Sequence, residues 1–108
     1  MSNYITTLKL ADDLFDGMLS GDKRVTIRNG QRNIEVDKHL TIESTNGTYP
    51  SVTVLVEMIT VLRVKDLSDD FLEADGFEYL EDFIEGMSRF YPNLTEDSVV
   101  TVIVFTVV

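Results

Sequence analysis

The chain contains no cysteine. Disulfide bridges, zinc–thiolate sites and iron–sulfur clusters are therefore excluded, and the composition suits a reducing compartment. Long apolar runs are also missing. The longest, Val99 to Val108, is too short to cross a bilayer as a helix. The opening residues, Met1 to Ile5, lack a basic region followed by an apolar stretch, which argues against a secretory leader. These absences point to a cytoplasmic protein without a membrane partner. Positive charge is scarce: 9 Lys and Arg stand against 19 Asp and Glu, giving a net charge of −10 at pH 7. Such a balance opposes non-specific binding to nucleic-acid backbones, which works by neutralising phosphates. Histidine occurs once, as His39, with no metal-ligand spacing around it, and reads as a structural or solvent-facing residue. Repeats, linkers and low-complexity tracts are absent. What remains is one domain, residues 1–108, whose 44% hydrophobic content can fill a single core.

The scarce positive charge is unevenly placed. Five of the nine basic residues (Lys23, Arg24, Arg28, Arg32, Lys38) fall between positions 23 and 38, where only Glu35 and Asp37 oppose them. From Asp66 to Asp97 there are eleven acids and one base, Arg89. A local basic pocket inside a negative field can take a nucleoside or a small anion but repels a long polyanion. The acidic triplets Asp12-Asp13-Asp16 and Glu81-Asp82-Glu85 read as solvated helix faces, so no metal and no cofactor is expected.

Periodicity outlines the elements. Tyr4 to Leu10 reads as a strand. Asp12 to Ser20 reads as a helix, with the stripe Leu14, Phe15, Met18 and Leu19, acids at its positive end and Gly21 as a left-handed stop. Arg24 to Arg28 alternates as a strand, Asn29-Gly30 is a turn, and 31–38 is a loop. His39 to Ser44 and the long stretch Ser51 to Val64 read as strands joined by a hairpin at Asn46-Gly47. Ser68 caps a short helix that Asp75-Gly76 breaks. Leu80, Phe83, Ile84, Met87 and Phe90 recur at helical spacing, with Phe83, Met87 and Phe90 as core. Tyr91-Pro92 ends that helix, and Val99 to Val108 reads as a strand buried on both faces. Strands dominate without strict β–α alternation, which predicts an α+β fold with about three short helices.

The junction Ser20 to Arg28 carries the chemistry. Alternation puts Arg24, Thr26 and Arg28 on one strand face and Val25 and Ile27 on the other. Lys23, just before the strand, is placed to bend back toward Thr26. A hydroxyl, an amine and guanidinium groups thus converge within a few residues. The same residues also read as ordinary surface charges and a good strand threonine, in a chain with many acids to pair with.

The order Gly21-x-Lys23-x-x-Thr26-Ile27-Arg28 after a short amphipathic helix resembles the ASCH family, and within it the small bacterial N(4)-acetylcytidine amidohydrolases. The likeness runs on through the acidic helical segment, Tyr91-Pro92 and the closing apolar strand. It implies a small PUA-like mixed β-barrel. It also implies that Lys23 and Thr26 are catalytic, with Asp75 on the position of the family's glutamate, one methylene shorter. Glu73 is the other candidate for that place. Arg24, Arg28 and Arg32 are then the substrate-binding cations. The family's Gly-Asp turn before the third strand reads here as Asp37-Lys38.

Three functions of different class follow. The first is hydrolysis of an amide on an acylated nucleoside, with Thr26 or water as nucleophile, Lys23 as base, Asp75 relaying a proton and Arg28 on the oxyanion. The second is a module that recognises a modified base, or weakly RNA, without reacting. The third uses the acidic segment to dock on a basic protein or to imitate nucleic acid.

Overall fold

A computed structural model describes residues 4–108; part of the opening stretch on which the reading about a leader rests lies outside them. Five strands form one mixed sheet: β1 (Thr7–Leu10), β2 (Val25–Asn29), β3 (His39–Ser44), β4 (Val52–Arg63) and β5 (Val99–Val107). Three helices accompany them: α1 (Asp12–Ser20), α2 (Asp69–Ala74) and α3 (Leu80–Met87), with a single 3₁₀ turn at Val64–Asp66. The architecture is α+β, as the hydrophobic pattern predicts. No helix of the described residues is long and apolar enough to cross a membrane.

The sheet order is β1-β3-β4-β5-β2. β1 and β3 run parallel, with Leu8 opposite Ile42, while the other neighbours are antiparallel. The two edge strands, β1 and β2, come within one side chain of each other: the Arg28 Nη1 donates to the Lys9 carbonyl at 2.7 Å. The curled sheet thus takes the form of a small mixed barrel stitched at its seam by a guanidinium.

β5 explains how one strand can serve two cores. Ile103 and Phe105 pack with Phe15, Met18, Leu40 and Val54 on one side. Val100 and Val102 pack with Val25, Ile27, Leu72 and Phe83 on the other. Alternation along a strand delivers consecutive residues to opposite faces, so a continuous β-branched run is what this position demands.

The structure departs from the expected elements in four places. β1 begins at Thr7 rather than Tyr4, although the Ile5 amide still donates to the Asn33 carbonyl at 2.7 Å. The β3–β4 connection spans 45–51 instead of a tight hairpin. Gly47 takes a positive φ of 74° there, but Asp12 of α1 captures the loop, accepting from the Ser44 hydroxyl and the Asn46 amide. Leu19 lies at the edge of the α1 stripe and is half exposed. Phe90 is not core: α3 stops at Met87, the chain turns with the Phe90 amide bonded to the Met87 carbonyl, and the residue is 46% exposed.

Candidate functional site

The site starts at the end of α1. Gly21 adopts φ 86° and its amide bonds back to the Met18 carbonyl, the left-handed stop that only glycine takes without a Cβ penalty. The chain then folds against the helix, with the Lys23 amide bonded to the Gly17 carbonyl at 2.8 Å. This reversal leaves β2 to begin at Val25. Val25 and Ile27 enter the core while Thr26, also buried, faces a cavity with Arg28.

Asp75 arrives from the far side of the sequence. Ser68 caps α2 by accepting from the Phe71 amide. After the last turn, Gly76 takes φ 92°, its amide bonds to the Glu73 carbonyl, and the Phe77 amide bonds to Leu72. This C-terminal lock holds Asp75 in place. Phe77 secures the turn from outside, meeting Phe83 edge-on at a centroid distance of 5.5 Å. Its ring lies so close to α3 that a Cβ on Gly86 would stand 2.7 Å from it. Gly86 therefore makes room for the aromatic that holds the Asp75 turn.

The two segments meet in an ion pair. Lys23 Nζ donates to Asp75 Oδ1 at 2.7 Å and to the Val25 carbonyl at 2.8 Å. Only 12% of the lysine side chain and 7% of the aspartate remain exposed. Arg28 Nε donates to Thr26 Oγ1 at 3.0 Å. Burial pushes the Asp75 carboxyl above its ordinary range, outweighing the opposing pull of Lys23 and Arg28. Burial likewise lowers the Arg28 guanidinium from its usual value, with Arg32 adding to the effect and Tyr91 and Asp75 opposing it.

Lys23, Thr26, Arg28 and Asp75 all line one cavity of about 490 Å³, within the size range of small-molecule sites. Phe77, Phe90 and Tyr91 give it aromatic walls. At its exposed rim, Arg89 pairs with Asp13 through both guanidinium nitrogens, at 3.1 and 3.3 Å. The same guanidinium carbon lies 4.3 Å from the centre of the Phe90 ring.

No family model and no curated protein matches the sequence. Solved structures do match. An ASCH domain from Lactobacillus crispatus superposes with a TM-score of 0.69 at 18% identity, over 99% of this chain and 86% of that one. The ASCH protein of Zymomonas mobilis gives 0.64 at 18% identity, over 92% of this chain but only 64% of the other. An Enterococcus faecalis protein gives 0.69 at 16% identity, covering 89% and 67%. This chain has the ASCH fold.

Within that fold, the structure sorts the residues singled out from the sequence. Asp75, not Glu73, reaches the cavity; Glu73 is exposed on α2. Arg24 and Arg32 do not line it. Arg24 precedes β2 and its Nε turns back to the Gly21 carbonyl at 3.2 Å, while Arg32 Nε caps the Asn29 carbonyl at 2.8 Å. Asp37, in the Asp37-Lys38 turn singled out from the sequence, has φ 66° and is the one non-glycine residue with positive φ among the described residues. Aspartate tolerates this region better than most side chains, so a left-handed turn can form here without a glycine. The sequence reading missed Lys9, Phe77 and Gly86 as parts of the site. It noted Arg89 and Tyr91 only as a lone base and a helix end. Their only signal was isolation: a cation in an acidic segment and a glycine inside a helical pattern.

Proposed function

We propose that this ASCH-fold protein hydrolyses the amide of an acylated nucleoside such as N(4)-acetylcytidine. The observation that carries the reading is the convergence of a buried lysine–aspartate pair, a buried threonine hydroxyl and a desolvated guanidinium on one cavity wall. Amide hydrolysis needs a nucleophile, a proton acceptor and donors for the developing oxyanion. Thr26 Oγ1 accepts from Arg28, which leaves its own proton to be given to a base. Lys23, read from the sequence as the base, donates to Asp75 and to the Val25 carbonyl, so the role of proton acceptor passes to Asp75. With its raised proton affinity it takes that proton or one from water, and Lys23 holds the carboxylate in place. The oxygen adds to the acetyl carbon and Arg28 steadies the oxyanion. A guanidinium has five N–H donors, and the bonds to Thr26 and Lys9 use two of them. Collapse breaks the C–N bond as Asp75 returns the proton to the amine and cytidine leaves. Where water attacked, acetate is released with it; where Thr26 attacked, water then adds to the acetyl-Thr26 ester, and its cleavage gives acetate and restores the hydroxyl.

The test is chromatographic release of cytidine from N(4)-acetylcytidine by the purified chain, with Lys23→Ala and Thr26→Ala beside it and circular dichroism to check folding. Turnover lost in both folded variants supports the mechanism, and turnover retained in both rejects it. A second reading is favoured by the aromatic walls: a module that stacks a modified base without reacting. Base binding without turnover would select it.

A further inference from the structure

The cavity differs from the rest of the molecule in the sign of its charge. Lys9, Lys23, Arg28 and Arg89 line it against two carboxylates, Asp13 and Asp75, in a chain of net charge −10. These charges are layered. Lys23 and Asp75 neutralise each other at the buried end, whereas Arg89 and Asp13 lie at the rim with 49% and 62% of their side chains exposed. Lys9 is exposed and shares a strand face with Thr7, opposite the buried Leu8 and Leu10. Its ammonium has no ion-pair or hydrogen-bond partner among the described residues. An unpaired ammonium on a flexible stem, lining the same cavity as an arginine half exposed to water, is a ready receiver for an anion. The surrounding acidic surface repels long polyanions, so the anion must be small and local.

We propose that the occupant of this cavity carries a phosphate: it is a nucleoside monophosphate rather than a free nucleoside. This rests on the acylated-nucleoside reading for the base, which lies toward Lys23 and Asp75. The phosphate sits at the rim, taken by Lys9 and by Arg89, for which it competes with Asp13.

Isothermal titration of the full chain with cytidine and with cytidine 5′-monophosphate at low salt tests it, run beside the N(4)-acetylcytidine assay. The monophosphate is expected to bind about tenfold more tightly, as charge-assisted contacts at a rim allow, with the advantage shrinking as salt is raised. Lys9→Ala should bring the ratio of the two affinities close to one, and Lys65→Ala, whose residue pairs with Asp97 away from the cavity, should leave the ratio as it was. Asp13→Asn, by releasing Arg89, should raise it. Equal affinities, or a preference that survives both Lys9→Ala and Arg89→Gln, overturn the proposal even if acetylcytidine is hydrolysed. A preference lost in Lys9→Ala sustains it even if no amide is cleaved, in which case the hydrolase reading alone falls. Binding of neither compound overturns the proposal, and the hydrolase reading then stands or falls on the N(4)-acetylcytidine assay alone.

Discussion

Two ion pairs border the same cavity, and they are built for opposite conditions. Lys23 and Asp75 meet at 2.7 Å with almost all of both side chains out of water. Arg89 and Asp13 meet at 3.1 Å with about half of each in it. Coulomb attraction at such distances is strong in a dry interior and weak in solvent. Yet the buried pair does not simply gain from this, because taking both charges out of water costs several kcal/mol per ion by order of magnitude, about as much as their attraction returns. The raised proton affinity of Asp75 records that cost. The outer pair bears little cost and returns little. Depth thus gives one chemistry two settings: a pair shut away from water, and a pair that stays open to solvent.

The contrast is sharpest if one partner of the buried pair is removed. Asp75→Asn leaves the Lys23 ammonium without its counter-charge, and chemical denaturation should show a loss of about 3–5 kcal/mol, with hydrolysis down by at least about a hundredfold. Removing both charges, as Lys23→Met with Asp75→Leu, should return stability to within about 1 kcal/mol of the parent or above it, since well-packed apolar side chains replace a buried pair at little cost. Activity would not return. A double variant as unstable as Asp75→Asn would show that burial is not the cause.

Smaller effects come with pH. The folded-state proton affinity of Asp75 is raised above the ordinary value of 3.8. Its contribution therefore favours the folded state below that value and is lost as pH rises through the folded one. Asp12 has the opposite sign, being lowered by hydrogen bonds from Ser44 and Thr48, so its contribution is present above 3.8 and is lost as pH falls. For catalysis by ionised Asp75, the acid limb of a pH–rate profile should lie above 3.8; a limb at or below that value would count against Asp75 as the proton acceptor. The smallest effect belongs to the rim. Asp13→Asn should cost less than about 1 kcal/mol in a thermal melt, and raised salt should erase the difference.

Much of this arrangement is legible in the sequence where the cause is local. The bounds of α1 follow from its apolar stripe and Gly21, and those of β3 from the alternation of Leu40 and Ile42. The split between Val25 and Ile27 in the core and Thr26 and Arg28 on the cavity follows from strand geometry alone. Lys23 and Asp75, 52 positions apart in sequence, were brought together only by the resemblance, because no periodicity carries a long-range contact. Arg24 was assigned to the wrong environment for a local reason: the reversal after Gly21 delays the strand by one residue and leaves this side chain outside. Phe90 fell out of the core because helical spacing persists in the sequence beyond the point where α3 stops. The parallel pairing of β1 with β3 leaves no mark in either strand, since both read as half-buried whichever neighbour they take.

Arg28 links the cavity to the mechanics of the sheet. One nitrogen orients Thr26 and another closes the gap between the two edge strands. A ligand that draws on this guanidinium therefore pulls on the barrel's only stitch between β1 and β2 seen among the described residues, and a ligand that fits it tightens that stitch. Occupancy should then be written into the backbone well away from the ligand, as slower amide exchange along Thr7–Leu10 and Val25–Asn29 together. The hoop of the barrel and the wall of the cavity are held by the same rivet.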